Sequence, residues 1–181
     1  GDENAWSIGE PDLILESPSV TVPTSAPDKW TSLGTIPTGL IEDRYVAAVE
    51  VKEFNDIPSD SAGDTVGGRY VFHHMTYASV VPDGMADAGS TRFPVHEVGR
   101  NADIFPENAG RLLRAGSALE LETAHLHANG RETNAHLKFA FKLHPKGYEP
   151  EIKHSRTFVG NGVDIDIKPD TADQQLHAYR V

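Results

Sequence analysis

The chain has 181 residues, 38 % hydrophobic and 24 % charged, which suits one globular domain with a full apolar core and is far from the disordered and membrane classes. A formal net charge of -11 with no offsetting basic stripe would repel a phosphate backbone, so nucleic acid is not an expected partner. With no cysteine, disulfides, thiolate metal sites and cysteine nucleophiles are excluded, and no stretch approaches the roughly 20 apolar residues that span a bilayer.

The chain opens at Gly1, not Met, with no charged-then-apolar leader, so a processed or recombinant product, or a piece of something longer, is expected. Short alternating or β-branched runs then recur between Gly, Pro, Asn and Asp punctuation, and helical periodicity is scarce. This reads as all-β, with strands at Leu13 to Leu15, Ser19 to Val22, Tyr45 to Val51 and Tyr70 to Val81. Further strands are expected at Ala118 to Leu126, His136 to Leu143 and Val163 to Ile167, with a last one near Leu176 to Val181. Asn55 to Gly68 is rich in Asp, Ser and Gly and reads as an exposed hairpin loop. Pro82 to Gly110 reads as a long loop over one end of the domain, and Glu107 to Leu113 as a helical turn. A strand that stops at Tyr179-Arg180-Val181 with no polar tail suggests truncation.

With cysteine absent, the nine histidines carry any metal chemistry. His125 and His127 are two apart in the run from Leu119 to His127, so their side chains share one face of a strand, and Asn129-Gly130 closes that run with a turn. His73 and His74 are adjacent, and neighbouring side chains on a regular strand point opposite ways. Both reach one metal only at a kink, bulge or strand end. Met75 sits in an apolar strand and reads as packing. Several imidazoles without a thiolate or carboxylate run suit copper, zinc or nickel, with copper(II) bound most tightly. His96, His136, His144, His154 and His177 are scattered singly and read as surface or core residues, while Arg111, Arg114, Asp164, Asp166 and Asp170 read as solvated faces. Nucleophile-elbow, phosphate-loop, zincin and EF-hand motifs are absent, and Glu120 with Glu122 lacks any partner signal for glycosidase chemistry, so no catalytic residue is assigned.

The stretch Tyr70-Val71-Phe72-His73-His74-Met75, followed by a later strand bearing His125, resembles the N-terminal domain of copper type II, ascorbate-dependent monooxygenases, the group of the peptidylglycine alpha-hydroxylating and dopamine beta-monooxygenases. Bacterial multidomain relatives are more similar still, through Trp6-Ser7-Ile8-Gly9-Glu10-Pro11-Asp12-Leu13, Ile36-Pro37-Thr38-Gly39-Leu40, the run Asp43 to Glu50 and the run Gly110 to Ser117. The resemblance implies that residues 1–181 form a single antiparallel, eight-stranded jelly-roll β-sandwich holding one copper ion on His73, His74 and His125, with His127 as the second choice for the third ligand. It also implies a second copper domain beyond Val181 where dioxygen and substrate react, and in some relatives a cytochrome c domain ahead of the Trp6 motif. This chain would then be the electron-supplying half, fed by a reductant such as ascorbate or another donor, in a periplasmic or extracellular setting. Alone it should bind and cycle copper without hydroxylating anything.

Two other readings fit parts of the pattern. One is a copper redox, structural or assembly module with no hydroxylase activity. The other is a cupin-type metalloenzyme, because His125-x-His127 followed by Glu132 partly matches that motif, although Leu119 and Phe139 stand where it wants glycine.

Overall fold

The computed structural model describes residues 5–58, 68–81, 91–153, 159–160 and 179–180. These residues contain strands and turns and no helix. The strands are β1 (Leu13–Glu16), β2 (Val20–Val22), β3 (Lys29–Thr31), β4 (Gly34–Pro37), β5 (Arg44–Asn55), β6 (Phe72–Val80), β7 (Thr91–Arg92) and β8 (His96–Glu97). They continue with β9 (Ala102–Ile104), β10 (Ala109–Leu113), β11 (Ala118–Leu126), β12 (Thr133–Leu143), β13 (Ile152–Lys153), β14 (Val159–Gly160) and β15 (Tyr179–Arg180). The all-β expectation is met. The strand at Val163 to Ile167 and most of the Asn55 to Gly68 loop lie outside the described residues.

Two large sheets result, of seven and six strands, neither closed into a barrel, beside the small β14–β15 pair. The first sheet runs β1-β12-β5-β10-β13, with β2 also on β12 and β9 also on β5; the second runs β3-β11-β6-β7, with β4 also on β11 and β8 also on β6. Pairing is antiparallel except for β10 with β13. The reason for two sheets is visible in the alternation of the long strands. Ala135, Leu137, Phe139, Phe141 and Leu143 of β12 are all buried, as are Val49 and Val51 of β5. From the other sheet Phe72, Met75 and Tyr77 of β6 and Leu119, Leu121, Ala124 and Leu126 of β11 face them in the same cluster. Tyr77 meets Phe139 edge-on at 4.9 Å, and Phe93 meets Phe141 at 5.6 Å, so aromatic rings join the sheets. Each large side chain so buried contributes roughly 1.5–3 kcal/mol, which makes this shared layer the main source of stability.

Two expectations are corrected. Glu107 to Leu113 is not a helical turn: Ala109–Leu113 is strand β10, paired with β5 through Arg111 with Val46 and Leu113 with Arg44. Local spacing loses there to sheet pairing, and Gly110 permits the close approach, since a Cβ on it would meet the Tyr45 Cβ at 3.1 Å. The described part of Pro82 to Gly110 is likewise not plain loop. It supplies β7 and β8 as an edge beside β6, and β9 beside β5.

Candidate metal centre

The centre lies where β6 and β11 pair, and two bulges place it. Leu121 pairs with Tyr77 and Thr123 with Thr76, leaving Glu122 as an extra residue in β11; His125 pairs with His74 and Leu126 with Phe72, leaving His73 as an extra residue in β6. A bulge sets two residues of one strand against one of its partner. His73 and His74 therefore both oppose His125, and the adjacent pair that regular geometry would split is brought to one face. The buried residues show the same thing: Phe72 and Met75 point inward with both histidines between them, and Leu121 and Ala124 point inward with Glu122 and Thr123 between them. The histidine face is the outer one, because Trp30, paired directly with His125 on β3, is 61 % exposed.

His73, His74 and His125 each offer a ring nitrogen within 4.8 Å of the others, an arrangement that could hold a metal ion. The Nδ1 atoms of His73 and His125 are 3.1 Å apart, and those of His74 and His125 are 3.5 Å apart. Metal–imidazole bonds of about 2.0 Å at tetrahedral angles put donor atoms about 3.3 Å from one another, so these spacings suit a small ion between them. Burial, then the neighbouring His74 and His125, hold His73 below its ordinary histidine range, which keeps its lone pair available.

His125 is the most enclosed of the three, and its surroundings dictate its tautomer. Its Nε2 lies 2.9 Å from Asp28 Oδ2, and His127 Nδ1 lies 2.7 Å from Asp28 Oδ1. Hydrogen bonds from His125 and then His127 hold the Asp28 carboxyl below its ordinary value, so it is an acceptor only. The Nε2 of His125 therefore donates, and its Nδ1 turns a lone pair toward His73 and His74. Trp30 stacks on the same ring with centroids 4.0 Å apart and planes within 6°. His74 is stacked parallel to His125 at 5.7 Å, and its Nε2 looks toward Glu97 at 3.7 Å.

Behind the centre, Glu53 of β5 pairs with Leu137 and faces the core. It spans to the other sheet and accepts from the backbone N–H groups of Val71 and Phe72, immediately before His73. Its burial pushes the carboxyl up to about 7, against the opposing pull of the Asn55, Phe72 and Val71 donors. His96, opposite Met75 on β8, is buried with an Nδ1 that has no hydrogen-bond partner among the described residues, and burial pushes its pKa down to about 4.

Of the residues named from sequence, His73, His74 and His125 come together and His127 does not join them. It shares their face but turns to Asp28. Glu132 is exposed and outside the group, and Met75 is fully buried in the core. His136 stacks against Phe54 and His144 against Tyr148, both away from the trio, while His154 and His177 lie outside the described residues. Asp28, Trp30 and Glu53 were not legible as parts of the centre. The first reaches His125 across 97 positions of chain, and no local pattern marks such a contact. The nearest signal is a Trp in a short polar strand, exposed where a buried aromatic would be ordinary.

No family model matches the chain, and searches of curated proteins and of solved structures return no match.

Proposed function

We propose that this chain is the copper-binding, electron-transfer half of a copper-dependent monooxygenase-like protein, with one copper ion held by His73, His74 and His125. The observation that carries this reading is the convergence of three imidazole nitrogens at a bulge, with no carboxylate inside the cluster among the described residues. An all-imidazole donor set favours copper over the hard cations, and in the divalent series copper binds most tightly. Copper bound there would supply one-electron chemistry. The chain's own part is to hold three neutral imidazoles at fixed spacing on a rigid ladder, with His125 clamped between Asp28 and Trp30 so that little has to move when the ion changes charge.

The strand order supports the jelly-roll part of the proposal. β1 and β2 both pair with β12, β3 and β4 with β11, β7 and β8 with β6, and β9 and β10 with β5, so each couple is one broken strand. Counted that way, and leaving aside β13 at the edge of the first sheet and the separate β14–β15 pair, there are eight, ordered 1-8-3-6 in one sheet and 2-7-4-5 in the other. That alternation between sheets is what two interleaved Greek keys produce. The proposal further places the protein outside the cytoplasm and beside a second copper domain that carries the oxygen chemistry.

Metal analysis after purification without chelator tests the reading. Copper near one equivalent is expected in the wild type, lost in His73→Ala, His74→Ala and His125→Ala and kept in His127→Ala, with far-UV circular dichroism unchanged because the three rings lie outside the core. Copper retained by His125→Ala, or iron or manganese that disappears in Glu132→Ala, would overturn it.

A further inference from the structure

The imidazoles of the centre are not equivalent on their outer sides. His125 Nε2 is hydrogen-bonded at 2.9 Å to a carboxylate, whereas His74 Nε2 faces Glu97 at 3.7 Å, beyond hydrogen-bond reach. Asp28 is itself doubly anchored, because its second oxygen takes the His127 proton at 2.7 Å. The His127 ring thus braces the carboxylate that braces a ligand. Trp30, two residues further along the same segment, lies flat on the His125 ring. One short piece of chain, Asp28 to Trp30, therefore sets both the tautomer and the plane of His125.

We propose that Asp28 is the positioning residue of this centre and biases the bound copper toward its oxidised state. This rests on the copper reading above. An anionic acceptor on Nε2 draws that proton outward and raises the basicity of Nδ1, which strengthens the bond to the metal. A fixed negative charge also favours the doubly charged ion over the singly charged one, by the simple proportionality of Coulomb energy to charge. Both effects act in the same direction. His127, which Asp28 occupies, is thereby a brace and not a ligand.

The test measures Cu(I) and Cu(II) affinity by chelator competition, together with the midpoint potential, in the wild type and four variants. Asp28→Asn keeps an acceptor for His125 but removes the charge. It should weaken Cu(II) about tenfold more than Cu(I), which is a rise of about 59 mV in potential for one electron. Asp28→Ala also removes the acceptor and should lower affinity for both ions by about 10–100-fold. Glu97→Gln removes the same charge without a hydrogen bond and should shift the potential less, and His127→Ala, which frees one oxygen of the Asp28 brace without removing a ligand, should weaken both ions but by less than Asp28→Ala does. Nitrogen NMR of the metal-free protein should show His125 protonated at Nε2 in the wild type and in a mixture of tautomers in Asp28→Ala. Normal copper binding with an unchanged potential in Asp28→Asn, or an equal shift in Glu97→Gln, overturns the role of Asp28 alone. A wild type that binds no copper overturns the copper reading and the redox role with it.

Discussion

The ladder β5–β12 and the ladder β6–β11 have comparable length and opposite character. In the first, eight successive pairs from Ala135 with Asn55 to Lys142 with Ala48 keep register without a break, and the only irregularity comes at the end, before Leu143. In the second, two register shifts fall within a few residues of each other. The regular ladder supplies Phe139, Phe141, Leu137, Val49 and Val51 to the core and no member of the histidine cluster. The irregular one carries all three histidines. A regular strand cannot present two neighbouring side chains on one face, so a site that uses adjacent residues has to be built where regularity fails. The regular ladder is the support on which that departure can be tolerated.

The contrast can be broken most severely by deleting one residue from each ladder. Removing Lys138 puts Leu137 next to Phe139 and drives half of β12 onto the wrong face. No cooperative thermal or urea transition is expected. Removing Glu122 instead converts a bulged strand into a regular one, because Leu121 and Ala124 are three apart and become two apart, both still inward. That variant should fold, with a loss of about 1–2 kcal/mol from the changed twist and the lost 2.9 Å contact between Arg92 and Glu122. Urea titration of both proteins checks this. A ΔGlu122 protein as unfolded as ΔLys138 would mean that the bulge is required by the fold and not by the site.

The same contrast explains what could be read from residues alone. Every long strand was legible, because burial of one face imposes the alternation seen in Val49, Val51, Leu137, Phe139 and Phe141. The short strands β3, β4, β7, β8, β9, β13 and β14 were not, since two to four residues are too few for a period to stand out without flanking Pro and Ser punctuation like that around β1 and β2, and the five-residue β10 read as a helical turn. At the centre, the face shared by His125 and His127 followed from their spacing, but the union of His73 with His74 did not. Its signal was present as the triple spacing of Phe72 and Met75, and again of Leu121 and Ala124, which departs from period two and marks a bulge. Asp28 and Glu53 carry no such mark. Each acts through a contact between distant segments, and side-chain contacts of that range are set by the assembled sheets.

A smaller effect is expected from two ionisable groups whose pKa values desolvation shifts, one beside each ladder. Glu53, on the regular ladder, has its pKa raised from 4.5 to about 7 by burial. The folded protein therefore holds more protons than the unfolded chain across that window, and this contribution to stability falls as pH rises through it. His96, beside the irregular ladder, has its pKa lowered from 6.5 to about 4 by burial. There the unfolded chain holds more protons, so stability falls as pH drops through that window, by about 3 kcal/mol at most. The two oppose each other, and the metal-free wild type should show a shallow profile between them. His96→Leu should become less stable with rising pH, and Glu53→Gln should lose stability steeply in acid. Urea midpoints collected from pH 4 to 7 read both slopes, and parallel profiles for the two variants would refute the assignment.

The smallest effect concerns Trp30, which belongs to neither ladder's core and yet touches the centre. Its indole lies 4.0 Å from the His125 ring, while the other tryptophan, Trp6, sits over the outer side of the first sheet with Lys52 5.0 Å from its ring. Copper(II) bound at the trio should quench Trp30 and leave Trp6 emitting. Trp30→Phe should therefore abolish the copper-dependent part of the fluorescence change while keeping a ring on His125. Trp30→Ala removes the stack, worth about 0.5–1.5 kcal/mol, and should weaken copper binding roughly two- to tenfold. Undiminished quenching in Trp30→Phe would place the metal near Trp6, on the regular sheet, and would reverse the division of labour between the two ladders.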